Sequence, residues 1–476
     1  MFYLIFSVVF AVILGTYLLL RYKFFKNNEK FNHIMDKTIK ISTIVFCATM
    51  LLSILLPDAF TLERSQEFLG AGKFQGYAIL RWLMATPFVV YPIAVYSKNR
   101  TFRNIAIYFC TIVTIVSIAF YSTHMQFFTS TEGRGLNSLS IAGAGFKKFM
   151  INTTFRSIIF AFTMMLQLLI PILLAFQEKH IFDVKNKKEW GLFFGVLPLI
   201  IISSIPIYVP QYLFGHSNLI LKPFGYLHFL WIALAVGELV ALYFIFRKKD
   251  KQVQKILLFT LALSLFQYNQ MFGAISLNFK RLPFQLCNIG AYLIVISLVT
   301  MNRKLFNFTA IVNVVGVLFA LAMPDLEGKG LFYLYNMHFI LEHTNVLIVP
   351  VLALMFGIFP RLDKSALKHC IVGFVIYFLS VWALGTAFNA IALATGNGFY
   401  SANYLFMFSA KDAVELLPFT QALFDINFKI GYATFYPVIQ LIVFVVFLLV
   451  CILLYFVIRL IYKIKDKTIK TQKPLA

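Results

Sequence analysis

Apolar runs of about 17–25 residues recur from one end of this chain to the other, each long enough to cross the hydrocarbon core of a bilayer as a helix. Backbone N–H and C=O groups find no water there, so a spanning segment must satisfy them within itself, which a helix does. Of the 476 residues, 60% are hydrophobic and only 13% are charged, too few charges to cover a soluble protein of this length. The expected fold is all-α and polytopic. Thirteen spans are expected, near residues 1–20, 41–57, 76–96, 105–121, 156–176, 191–208, 225–246, 257–274, 283–300, 307–323, 335–358, 370–392 and 434–458.

A net charge of +23 is common among nucleic-acid binders, but its distribution here has another cause. With the N-terminus outside, segments 21–40, 97–104, 177–190, 247–256, 301–306, 359–369 and 459–476 lie inside and hold 29 of the 42 Lys and Arg residues. That is the positive-inside pattern, which predicts a multi-pass cell-membrane protein with a cytoplasmic C-terminus and no nucleic-acid partner. The basic segments also suit anionic lipid headgroups. The first span lacks a basic n-region and a small-residue cleavage site, so it is expected to be retained. Cys47, Cys110, Cys287, Cys370 and Cys451 all lie in or beside spans, which argues against a disulfide framework. His124, His216 and His228 show no metal-ligand spacing with Cys or carboxylates. Neither a P-loop nor a Rossmann glycine pattern is present, so no metal and no cofactor is expected.

Four short stretches repeat in the same order. YSKNRTFRNIAIYFCTIV (96–113) pairs with VTMNRKLFNFTAIVNVVG (299–316), and LLIPILLAF (168–176) with LIVPVLALMF (347–356). PQYLFGHS (210–217) pairs with ANYLFMFS (402–409), and FGYLHF (224–229) with IGYATF (430–435). These matches predict a tandem duplication: an extra first helix, then two six-helix units. An even number of spans per unit makes the units parallel, with a symmetry axis along the membrane normal. The expected domains are an N-terminal unit, 1–250, and a C-terminal unit, 251–476.

The second unit holds the candidate chemistry. In KRLPFQLCNIG, Pro283 suits the first turn of a helix and places Cys287 about one turn inside. A helix N-terminus with Lys280 and Arg281 nearby favours thiolate, whereas apolar burial favours an inert small hydrophobe. His343, in HFILEHTNVLIV, is ionisable inside a span: either a functional base or a histidine bonded to a neighbouring helix. Asp325, in AMPDLEG, either orients that imidazole or simply ends a helix after Pro324. Asn403 and Tyr404 lie in an outer segment, as polar loop residues or as donors to a carbonyl oxygen. Glu238 sits within a span without an evident acidic partner. Under the repeat alignment Met84 stands in the place of Cys287, Met164 in that of His343 and Gln211 in that of Asn403. The first unit therefore has the frame without the chemistry.

RLPFQLCNIGAYLIVISLVTMNRKLFNF, AMPDLEGKG, HFILEHTNVLIV and NYLFM, in that order, resemble the YwaF family of bacterial integral membrane proteins over about residues 252–460. Vertebrate relatives of that family include a transmembrane acyltransferase acting on phospholipids. The resemblance implies Cys287 as the acyl-accepting nucleophile and His343 as its partner. Asp325 falls at the family's Pro-Asp position, and Asn403 and Tyr404 at its Asn-Tyr position. Bacterial members often carry Asp after the cysteine, where this chain has Asn288, and the N-terminal half is not typical of compact members. Arg281, Asn288, Asn403 and Tyr404 are the candidate substrate-binding residues.

These readings lead to an acyltransferase that moves a chain from a membrane phospholipid, through a Cys287 thioester, to a lysolipid or lipoprotein acceptor at the outer face. A lipid or solute carrier or scramblase, and a non-catalytic envelope subunit, are the alternatives. The charge pattern predicts that an impermeant thiol reagent labels single cysteines placed at Ser276 or Lys329 in intact cells. Labelling only after lysis would invert the topology.

Overall fold

The computed structural model describes residues 1–24, 28–55, 71–128, 152–177, 186–203, 218–275, 282–322, 324, 326, 330–410 and 419–471. The all-α expectation holds: apart from one hairpin, β1 (Phe428–Ile430) against β2 (Ala433–Phe435), and one isolated bridge, the regular structure described is helical. Among the described residues eight helices are long and apolar enough to cross a membrane. They are Phe2–Lys23, Arg100–Ala119, Thr153–Gln177, Tyr226–Phe246, Arg303–Ala322, Asn336–Met355, Lys364–Thr395 and Pro437–Ile464. Thr86–Tyr96 and Leu286–Thr300 are shorter apolar helices. The expected spans near 41–57, 191–208 and 257–274 also fall on helices, but these are shorter or more polar; Lys251–Ile275 carries Lys251, Lys255, Gln267 and Asn269.

The chain forms two compact units, Met1–Pro206 with Gln270–Leu277, and Ile207–Asn269 with Asn278–Ala476. In the first, α1 (Phe2–Leu19), α2 (Glu29–Leu55), α3 (Ala71–Tyr96), α4 (Arg100–Ile105), α5 (Thr111–Ala119), α6 (Tyr121–Phe128), α7 (Thr153–Gln177) and α8 (Lys187–Ser203) follow in order. Helix α7 packs on α1, α2 and α5. The second contains α9 (Tyr226–Phe246), most of α10 (Lys251–Ile275), α11 (Leu286–Thr300), α12 (Arg303–Phe308), α13 (Val314–Ala322), α14 (Leu334–Met355), α15 (Lys364–Thr395), α16 (Thr420–Asp425) and α17 (Pro437–Thr471). Helix α9, which the sequence boundary at 250 places in the first half, packs here on α14.

One local construction occurs twice. Helices α4 and α5 are joined by a π turn, Ala106–Cys110, and α12 and α13 by a π turn, Thr309–Asn313. The three segments are 6, 5 and 9 residues long in both places. Asn99 and Asn302 cap the two starts with their side chains, Asn99 accepting the Phe102 N–H and Asn302 those of Lys304 and Leu305. Immediately before them, Lys98 and Met301 take left-handed φ values of 54° and 53°.

Helix α14 is the centre of the second unit. Two thirds of its apolar stretch is buried (67%), against 11% for α9 and 17% for α17. Helices α9, α11 and α13 pack around it. Outside this layer α15 and α17 pair over an apolar cluster that includes Phe374, Phe378, Phe447 and Cys451. The start of α15 is set by Asp363, whose carboxylate accepts the Ala366 N–H at 3.1 Å and the Ser365 hydroxyl at 2.6 Å, and pairs with Arg303 at 2.7 Å. Its end is set by Gly396 at φ 65°, with the Asn397 N–H closing on the Ala392 carbonyl.

The Ser365 hydroxyl above all, helped by Arg303 and the Ala366 N–H, holds the Asp363 carboxyl down at about 2. A depressed carboxyl contributes stability that is present above its ordinary unfolded value, ~3.9, and is lost as pH falls through the folded one. Asp363→Ala should cost about 1 kcal/mol, the usual worth of an N-cap, in detergent unfolding titrations at neutral pH. The difference from wild type should shrink as the pH is lowered toward 2.

Candidate functional site

Six residues of α14 are polar and buried: Asn336, His338, Glu342, His343, Thr344 and Asn345. A buried polar group without a partner is costly, and more so where no water enters, so each points to a neighbour. Thr344 accepts the Trp231 indole N–H of α9 at 2.8 Å. Asn345 donates to Ser264 of α10 at 3.0 Å. The Glu342 carboxylate lies 3.0 Å from His338 Nε2, one turn earlier, and accepts the Asn288 amide of α11 at 3.1 and 3.3 Å.

That last bond brings α14 to Cys287. The helix start differs from the sequence expectation: Pro283 lies in a turn ahead of it, Gln285 is the N-cap and α11 begins at Leu286. Cys287 is therefore the second helical residue rather than a turn inside. Gln285 has extended φ and ψ and does not cap with its side chain. Its carboxamide instead donates to the Asn403 carbonyl at 3.1 Å and accepts the Leu405 N–H at 3.1 Å. The Cys287 thiol is half-buried, in coulombic range of Glu342.

The segment holding Asn403 and Tyr404 thus meets the strand of chain just before Cys287. Asn403 accepts the N–H groups of Phe408 and Ser409, both at 3.0 Å, which folds the segment on itself. Leu405 and Phe406 take left-handed φ values of 53° and 56°, uncommon for residues with bulky side chains. Asn389 holds Ala402 from both sides, at 2.9 and 3.1 Å. The Tyr404 ring is fully buried and stands edge-on to Phe284, and burial pushes its hydroxyl above the ordinary range, so it stays protonated. Tyr377 of α15 donates to the Phe284 carbonyl at 2.9 Å.

His343 Nδ1 lies 2.6 Å from the Phe339 carbonyl, and its ring packs tilted against the Phe339 ring, with centroids 4.1 Å apart. A carbonyl only accepts, so Nδ1 carries the proton and Nε2 presents a lone pair. No hydrogen bond joins His343 to Cys287. Among the sequence-derived candidates, Cys287, Asn288, Asn403 and Tyr404 therefore fall in the second unit around one helix start, while His343 lies on α14 of the same unit with its ring turned to Phe339. Asp325 and Arg281 lie outside the described residues, as do Lys280 and Gln211. Glu238 is exposed along the middle of α9, away from these contacts. Sequence reasoning missed Glu342 and Gln285; a carboxylate inside a span, one turn after a histidine, was the available signal for the first. Among the described residues no three His, Cys, Asp or Glu side chains converge as a metal-ligating set.

In the first unit the matched positions are Met84 and Ala85 on α3, and Thr163 and Met164 on α7. Gln167 donates there to Thr114 at 2.9 Å, and Tyr91 to the Gln167 carbonyl at 2.6 Å, a neutral network.

Residues 223–455 match the model of the TMEM164 family. This corrects the expected YwaF membership: the matched region begins at α9 and covers nearly all the second unit, but under another family. The match brings no reaction with it, so the acyltransferase activity inferred through YwaF loses that support. No curated protein and no solved structure matches the chain.

Cys110, Cys370 and Cys451 are fully buried, whereas Cys287 is not. A lipid-soluble maleimide should alkylate Cys287 well before those three, read by peptide mass spectrometry of native membranes. Uniform rates would reduce Cys287 to a packing residue.

Proposed function

We propose that the second unit is a membrane acyltransferase that carries the acyl chain on Cys287. What supports this reading is a half-buried thiol at the second residue of a helix start that no side chain caps, beside a buried Glu342 held by His338 and Asn288. First-turn N–H groups have no intrahelical partner. The N–H groups of Cys287 and Asn288 lie in that first turn, where they can meet charge that develops beside the thiol.

His343 Nε2 takes the proton of Cys287, directly or through one water. The sulfur attacks a phospholipid ester carbonyl, and the oxyanion is held by the helix-start N–H groups. The ester C–O bond breaks, and the lysophospholipid alkoxide leaves with the proton from His343. An acceptor hydroxyl or amine then attacks the thioester and restores the thiol. Glu342 stabilises the imidazolium between these steps by its charge. Asn403 and Tyr404 shape the wall at the helix start.

The orientation proposed here is the N-terminus outside, with thirteen spans, which sets α11's start near the outer face. Acceptors there are a lysophospholipid, a glycolipid or the amino terminus of a membrane-anchored lipoprotein. A tandem duplication accounts for the twice-built helix–π–helix segment. In that reading α1 is the extra helix, and the stretch at the start of α9 (FGYLHF) pairs with the stretch just ahead of α17 (IGYATF). A carrier or scramblase built on such a frame needs matched polar residues in both units, and Met84, Thr163 and Met164 do not match Cys287, Glu342 and His343.

Acyl-thioester trapping tests the reading. The intact Cys287 peptide from native membranes should carry an acyl mass that neutral hydroxylamine removes. Cys287→Ser should abolish it, and His343→Ala should slow turnover roughly 10²–10⁴-fold, the usual share of a general base. Met84→Ala and Met164→Ala should leave turnover largely intact. Absence of any hydroxylamine-sensitive adduct, or equal losses from the matched substitutions in both units, would sink it.

A further inference from the structure

Asn313 is the last residue of the π turn between α12 and α13, and it is fully buried. Its amide donates to the Leu286 carbonyl at 2.7 Å. That carbonyl belongs to the same peptide plane as the Cys287 N–H. A hydrogen bond to the oxygen fixes the plane's rotation and polarises the N–H at its other end.

The seat is built for this bond. A Cβ on Gly290 would stand 2.1 Å from Asn313 Nδ2, so only glycine leaves room for the carboxamide. Because Nδ2 must face a carbonyl, Oδ1 faces away, and it is buried with no hydrogen-bond partner. An unsatisfied buried acceptor opposes folding, which makes mere packing a poor account of an Asn here. The first unit repeats the π turn residue for residue, but Cys110 stands at its last position and Pro87 in place of Gly290. The donor and its gap are thus found together, in the unit that has the thiol. π turns recur where a helix must aim one side chain out of register.

We propose that Asn313 is a positioning residue: it holds the Leu286–Cys287 peptide so that the Cys287 N–H is fixed beside the reacting thiol, aimed at the oxyanion that forms on the attacked ester carbonyl. Gly290 is the space it requires. The inference rests on the Cys287 reading, and its test separates the two.

In the full-length protein in native membranes, Asn313→Leu keeps bulk and loses the donor. Cys287 alkylation by a lipid-soluble maleimide should slow about tenfold at neutral pH, the effect of one hydrogen bond. Its pH–rate profile should move to higher pH, while that of Cys47 in the same molecules stays put. Turnover should fall in kcat with KM within about twofold. Gly290→Ala should reproduce the alkylation defect alone, yet add nothing to Asn313→Ala, because the clash goes with the carboxamide. If Asn313→Leu does not reach the membrane, Asn313→Asp serves instead: ionised it donates nothing, and its deficit relative to wild type at the same pH should close as the pH is lowered and the carboxyl regains a proton to donate. An unmoved Cys287 profile, an equal shift at Cys47, or additive Gly290 and Asn313 effects would overturn the assignment. A shifted profile without any acyl-thioester in the wild type would instead keep Asn313 as the thiol's positioning residue and remove the acyl-transfer reading.

Discussion

A helix largely enclosed by other helices must hand its buried polar side chains to neighbours, and α14, two thirds of it buried, is such a helix. Four polar residues in a row, Glu342 to Asn345, cannot share one face at about 100° per residue. They point around the helix instead: Glu342 to α11, Thr344 to α9 and Asn345 to α10, while His343 returns to its own Phe339 carbonyl. These bonds fix the rotation and depth of α14 against three other helices. Apolar packing between helices in lipid lacks that specificity, since lipid tails compete with Leu and Phe on nearly equal terms. The position of Cys287 follows from one of the bonds, because Asn288, its neighbour, is the residue that Glu342 holds.

The helix start at Leu286 is fixed from the other side by chain far away in sequence. Gln285 gives up capping its own helix to bond Asn403 and Leu405. The first-turn N–H groups are left for other acceptors, and a segment with two consecutive left-handed residues is locked beside them. Asn403, Asn389 and Gln285 together account for that conformation, which no local preference of Leu405 or Phe406 would produce. A half-buried thiol, uncapped amides and a buried carboxylate therefore meet at one place.

The two units share one local construction but differ in the side chains around it. The Asn cap, the left-handed residue before it and the π turn occur in both units with the same lengths. The positions that matter at α11 and α14 differ: Met84 and Ala85 against Cys287 and Asn288, Thr163 and Met164 against Glu342 and His343. In the first unit neutral Gln167 donates to Thr114, and Tyr91 donates to the Gln167 backbone carbonyl. Backbone geometry is set by caps and turn lengths, which tolerate such exchanges, whereas a charged site in low dielectric does not.

Composition and apolar run length alone determined that this is a multi-pass helical membrane protein, because the cost of an unsatisfied backbone in lipid leaves so few alternatives. Short polar anchors such as Asn99 and Asn302 made the recurring construction visible, since caps are read locally. Cys287 and His343 stood out because a nucleophile and an imidazole are rare in such runs. Apolar runs did not tell which of thirteen segments are long and apolar enough to span, nor that α9 packs with the second unit, for both depend on neighbours. Pro283 suggested a helix start that Gln285, drawn to Asn403 across more than a hundred residues, moved to Leu286. Glu342 and Asn313 acquired a role only through contacts between helices. One reaches Asn288 across α11, and the other enters a gap that Gly290 leaves, and neither the spacing nor the residue type records such a meeting.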